Sequence, residues 1–108
     1  MIVHISLFFL KDPGTAGEMV AALEQVPRDN PAISTSLVGR NLVVLPPMPG
    51  VPEFADVAQV ITFEDPADAD AYAESPAHLA LRAATDHLVE RVVGAEFRQD
   101  RPPPIRSP

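Results

Sequence analysis

For acid–base chemistry the chain offers three histidines and a single tyrosine, with no cysteine. Tyr72 and His78 stand close together, separated by a segment that contains Ser75-Pro76-Ala77. Histidine changes charge near neutral pH, so His78 is suited to take a proton from an activated carbon. A phenol can donate a hydrogen bond to a developing enolate or alkoxide, which suits Tyr72. His4 and Ser6 share one face of the apolar opening segment and are the candidates for contacting a substrate.

Other chemistries find less support. Without cysteine there is no thiolate nucleophile, disulfide or Cys-based metal site. Ser6, Ser34 and Ser36 have neither triad spacing nor an elbow motif, so serine hydrolysis is not expected. Glu64, Asp65, Asp68, Asp70 and Glu74 form an acid-rich run. Asp65, Asp68 and Asp70 surround a helix start, where carboxylates are stabilised anyway, so the run reads as a solvated face. No metal and no cofactor is expected.

The elements that must position these residues follow from the apolar pattern. Ile2 to Leu10 reads as a strand with Val3, Ile5, Leu7 and Phe9 on one face and Ile2, His4, Ser6 and Phe8 on the other. Ala16, Met19, Val20, Leu23 and Val26 form the buried stripe of a helix, which Pro27 is expected to end. A second strand is expected over Ile33–Leu45, with Gly39 as a bulge or close approach, and a third over Phe54–Glu64. Between them, residues 46–52 carry four prolines and must be a stiff loop.

A short helix over Ala67–Ala73 comes next. Ser75 as N-cap and Pro76 at the first position then start a helix expected to reach Arg91, with Ala77, Leu81, Ala84 and Leu88 inward. On that helix His78 lies roughly 100° from the centre of the stripe, at the edge of the core. Val92–Phe97 reads as the last strand.

The order β-α-β-β-α-β is the split ferredoxin-like plan of an α+β fold: a four-stranded antiparallel sheet with two helices on one face. One domain is expected over residues 1–98, with a Pro-rich tail over 99–108. The uncovered sheet face holds many apolar residues, which predicts a homodimer through sheet faces, a dimeric α+β barrel. The net charge of −7 disfavours nucleic acid and anionic membranes as partners. No apolar run approaches the roughly 20 residues of a membrane span. The opening segment lacks the marks of a signal peptide, and a cytoplasmic location is expected. Scarce Lys with abundant Ala, Pro and Arg suits a GC-rich bacterial genome.

Several segments together resemble the stress-responsive A/B barrel (Dabb) family. They are Met1-Ile2-Val3-His4-Ile5 with Leu7-Phe8, Val38-Gly39-Arg40-Asn41-Leu42, Asp56-Val57-Ala58 leading to Thr62-Phe63-Glu64, Asp70-Ala71-Tyr72 with Ser75-Pro76-Ala77-His78, and Glu90-Arg91-Val92-Val93. The resemblance implies a dimeric α+β barrel. More distantly the chain resembles polyketide cyclases of the olivetolic acid type, cofactor-free enzymes that close a ring by intramolecular aldol chemistry. By that likeness Tyr72 and His78 correspond to their catalytic Tyr and His, and His4 to a further His. Val57 stands where those cyclases carry another His, so this chain departs from them in its third strand.

Three functions follow as expectations. The first is a cofactor-independent cyclase or lyase with His78 as base and Tyr72 as donor, taking a small apolar carbonyl or polyketide-like ligand. The second is a non-catalytic ligand-binding or stress-related dimer. The third is a cofactor-free monooxygenase, a chemistry hosted by related barrels.

Overall fold

The computed structural model describes residues 1–100. A nine-residue run dominated by β-branched, aromatic and leucine side chains makes β1 (Ile2–Leu10), the strand on which the sheet is assembled. It pairs antiparallel with β3 (Val57–Phe63) on one side and with β4 (Val89–Arg98) on the other, and β2 (Thr35–Arg40) adds to β3. The order β2-β3-β1-β4 is that of a ferredoxin-like sheet.

Register decides which residues face the helices. Ile2, His4, Ser6 and Phe8 sit opposite Phe63, Ile61, Gln59 and Val57. Ile2, Phe8, Val57, Ile61 and Phe63 are buried against α1 (Ala16–Asp29) and its neighbours, and Met19, Leu23 and Val26 of α1 complete that core. The face carrying His4 and Ser6 is therefore the helix-packed one. The opposite face presents Ile5, Leu7, Val60, Ala95 and Val93 along the same ladders. Among the described residues no helix covers it, and Leu37 and Phe97 on that face are 71% and 50% exposed.

Several boundaries differ from expectation for local reasons. Pro27 does not end α1: the helix runs on to Asp29, and Asn30 N–H closes it on Val26 O at 3.0 Å. Near a C-terminus the lost N–H of proline breaks only one bond of the ladder. β2 stops at Arg40 rather than Leu45, because its partner β3 begins only at Val57. Leu42 and Val44 consequently lie in an exposed loop. Gly39 pairs in register with Ala58 and forms no bulge. In the loop, Gly50 adopts φ +79 at the third position of a turn closed by Val51 N–H on Met48 O, a conformation only glycine takes without strain.

The second helical region is broken into three pieces: α2 (Pro66–Ala71), a single 3-10 turn (Tyr72–Glu74) and α3 (Pro76–Thr85). Asp65 caps α2 by accepting from Ala67 N–H at 2.9 Å. α3 ends well short of Arg91. Thr85 Oγ1 turns back onto Leu81 O and Leu88 N–H bonds Thr85 O, which diverts the chain into β4. Thr85, not Ala84, is the buried residue of its last turn. The strand starts earlier than expected, at Val89, and Glu90 is left without a partner where the β1–β4 register shifts between Phe9 and Leu10. The Pro-rich tail falls, from residue 101, outside the described residues. No helix among the described residues is long and apolar enough to cross a membrane.

Candidate active site

α1 and α3 pack on each other, and α1 lies over β2 and β3. The edge strand β4 is left uncovered on its helix side, where Val92 is 52% exposed. Between α3 and the β1–β4 half of the sheet a cleft of about 510 Å³ remains. Its walls include Phe8, Leu81, Val89 and Val92, and its polar groups include His4, Ser6, Gln59, Tyr72 and His78. Beside it on β4, Gly94 faces Ser6 in register, and a Cβ built there would meet only Ile5 O, at 3.5 Å.

Ser75 organises the first pair. Its hydroxyl donates to Tyr72 O at 2.6 Å and accepts from His78 N–H at 3.3 Å. One side chain thus caps α3 and holds the preceding 3-10 turn, which brings the two rings to 4.9 Å between centroids. His78 Nδ1 lies 2.9 Å from Ala73 O. A carbonyl can only accept, so the ring carries its hydrogen on Nδ1 and leaves the Nε2 lone pair free. The Tyr72 ring is wedged among His4, Phe63 and His78 and is 4% exposed. Burial pushes its hydroxyl up to about 12. That hydroxyl is buried without a partner, a situation that costs about 1–3 kcal/mol.

The second group is a chain across β1 and β4. Ser6 Oγ lies 3.2 Å from His4 Nε2, and His4 Nδ1 lies 3.0 Å from Glu96 Oε2. A carboxylate only accepts, so Nδ1 carries a hydrogen, and in the neutral ring Ser6 then donates to Nε2. Spacing along the chain shows no serine triad, yet serine, histidine and glutamate line up here. Ser6 nevertheless sits mid-strand with partners on both sides, Gln59 and Gly94. The strained elbow that thrusts a nucleophile out of a sheet is absent, and among the described residues no non-glycine φ is positive.

The cleft thus gathers Tyr72, His78, His4 and Ser6. Gln59 and Glu96 belong with them and were not singled out by the sequence. Gln59 is a lone polar residue between Val57, Ile61 and Phe63 on one strand face, a signal that could have marked it. Glu96 is recognisable only from the β1–β4 register. A second hollow of about 590 Å³ lies within the Pro-rich loop, between Asn41 and Phe54. It holds neither histidine nor tyrosine and offers no acid–base pair. Arg91 ties that loop to the sheet by pairing with Glu53 while stacking 3.9 Å above the Phe9 ring.

Comparison with known proteins agrees with this architecture. A dimeric ferredoxin-like protein of unknown function from Bacteroides fragilis superposes with a TM-score of 0.70 at 24% identity, covering 91% of this chain and 95% of the other. A dimeric ferredoxin-like protein from Thermobifida fusca gives 0.71 at 24% identity, with 91% and 90% covered. A Nitrosomonas europaea protein, provisionally described as an antibiotic biosynthesis monooxygenase, gives 0.66 at 16% identity, with 94% and 100% covered. At these identities the likeness is one of fold. No functionally curated protein matches the sequence. The stress-responsive A/B barrel family does match, along residues 2–99 and so through every strand of the sheet, and the chain belongs to that family.

Proposed function

We propose that this protein is a homodimeric, cofactor-independent cyclase or lyase of the intramolecular aldol type, acting on a small apolar carbonyl compound of polyketide character. The observation that carries the reading is the state of the two rings in the cleft. His78 has its Nδ1 hydrogen committed to Ala73 O, so Nε2 is a base. Tyr72 beside it keeps a buried, unpartnered hydroxyl as a donor.

The chemistry follows from those roles. His78 Nε2 removes a proton from the carbon between two carbonyl groups. The resulting enolate oxygen is held by the Tyr72 hydroxyl, and the enolate carbon attacks a second carbonyl of the same chain. The alkoxide so formed takes back the proton from His78. The apolar walls formed by Phe8, Leu81, Val89 and Val92 favour a folded substrate. General-base assistance contributes about 10²–10⁴-fold, and alignment of the two reacting carbons supplies much of the rest. The uncovered apolar sheet face supports the homodimer, as does the dimeric state of the two ferredoxin-like relatives.

His78→Ala is the direct test. Turnover of a competent poly-β-keto substrate is expected to fall about 10²–10⁴-fold with the fold intact. Wild-type turnover in that variant would refute the reading. The likeness to the Nitrosomonas europaea protein favours a second reading, cofactor-free oxygenation. Oxygen uptake with a quinol-type substrate distinguishes the two.

A further inference from the structure

The loop after β2 carries the most exposed large apolar side chains among the described residues. Leu42 and Val44 are each 94% exposed, whereas Val43 and Leu45 between them are 43% and 45% exposed. Alternation with a period of two is the pattern of a strand with one bare face. β4 has the complementary defect. It is ten residues long and lies at the edge of the sheet, paired with β1 on one side alone. A long free edge accepts a further strand from another chain.

A second copy can bring the two together. A symmetric pair of sheets packed face to face has its two-fold axis lying between them. An axis across the strands sets β2 against β2 and β4 against β4. An axis along the strands sets β2 of one copy at β4 of the other, and only this brings the unpaired run to the long free edge. The sense is right, since three antiparallel ladders make β2 antiparallel to β4. The loop also stands on the right side. Glu53 pairs with Arg91, which stacks on Phe9 of the uncovered face. The loop is thus latched where a partner sheet would lie, across a gap of about 10 Å.

Register fixes where the run arrives. Arg40 is level with Val57, Val57 with Phe8, and Phe8 with Val92. Leu42 of the partner subunit then comes beside Glu90 to Val92, where β4 forms the open flank of the cleft. Alternation fixes which side chains face that flank. Arg40 shares the helix side of the sheet with Val57, and its guanidinium lies against Gly17 of α1. Leu42 and Val44 continue that side. In a closed barrel the uncovered faces turn inward and the helix sides of both copies turn outward. We propose that the cleft is shared between subunits: the partner's Leu42–Leu45 run pairs with the free edge of β4, and the partner's Leu42 and the partner's Val44 extend the apolar wall beyond Val92. The inference rests on the homodimer in the reading above and not on its aldol chemistry.

The test is cross-linking, which needs neither ligand nor turnover. The chain has no cysteine, so introduced thiols react alone. Leu42→Cys and Val92→Cys are co-expressed as separate full-length chains and treated with a short bis-maleimide. A linked dimer is expected from the pair and from neither variant by itself, because the symmetry sets like positions on opposite edges. Val93→Cys, whose side chain turns to the other face, should not link to Leu42→Cys. Amide exchange on the wild type needs no substitution: β4 amides that point away from β1 should be protected. In Val44→Pro, which cannot donate to a ladder, the dimer should persist while those amides exchange at least about tenfold faster. A wild-type dimer with neither link nor protection at this edge overturns the shared cleft and leaves the sheet-face dimer standing. Linkage within Leu42→Cys alone, or to Val93→Cys in place of Val92→Cys, overturns it as well. A wild type that light scattering finds monomeric overturns both the shared cleft and the dimer.

Discussion

The Tyr72 ring stands edge-on to the His78 imidazole, with 65° between their planes. This is a packing contact and not a phenol–imidazole hydrogen bond, since the Tyr72 hydroxyl has no partner. On the proposed reading the two polar tips serve different atoms of one ligand, a base at one and a donor at the other. A hydrogen bond between them would have spent both.

The first prediction concerns the tyrosine itself. Burial moves Tyr72 from its ordinary 10.0 to about 12. The folded chain therefore keeps this proton through a range where the unfolded chain has lost it. The resulting stabilisation is whole below about pH 10 and is lost as pH climbs through about 12, with a magnitude on the order of 2 kcal/mol. Denaturant melts across that range should show the fall in the wild type and a flatter profile in Tyr72→Phe. Tyrosinate absorbance gives an independent check, because Tyr72 is the sole tyrosine.

Glu96 is predicted to set the tautomer of His4. Nitrogen-resolved NMR of the wild type should find the His4 hydrogen on Nδ1. In Glu96→Ala that preference should disappear and affinity for the ligand should drop about tenfold, as for loss of a group that orients another. An unchanged tautomer would show that the 3.0 Å contact with the carboxylate is incidental.

Gly94 is predicted to be the floor space of the cleft. A β-branched residue suits a strand, and the nearest atom to its Cβ would be Ile5 O at an ordinary contact distance. Gly94→Val should therefore fold with a Tm equal to or above that of the wild type while losing ligand binding. A Tm drop of several degrees, with binding retained, would contradict the placement.

The open sheet face is predicted to be where two copies meet. Phe97 pairs with Val3 on that face and is half exposed. Phe97→Glu would bury a charge in a sheet-to-sheet contact, which is expensive when unpaired. Light scattering should report a dimer for the wild type and a monomer for this variant.

The parts of the fold that the sequence discloses are those governed by one repeating pattern. Met19, Leu23 and Val26 follow helical spacing, and the structure buries all three. Ser75-Pro76 announces the start of α3 because capping is local chemistry. The failures lie where a distant partner decides. The apolar run from Leu42 to Leu45 prolongs β2 on paper, yet these residues have no strand to pair with once β3 begins at Val57. Val89 to Arg91 fit a helix by continuation, but β1 claims them through Leu10 and Phe9. In the cleft, Tyr72 and His78 can be seen as a pair because they are close along the chain. Glu96 reaches His4 across 92 positions and becomes visible only when the sheet is assembled.

Ser75 touches both rings' backbone anchors at once, accepting from the His78 amide and donating to the Tyr72 carbonyl. The Tyr72–His78 pair is thereby wired into one short, contiguous stretch of chain, whereas Ser6, Gln59 and Gly94 are spread over three separate strands. On the proposed reading, reactivity and selectivity are thus encoded in different places. Substitutions on β1, β3 and β4 would then alter what enters the cleft without touching the stretch that holds Tyr72 and His78 together.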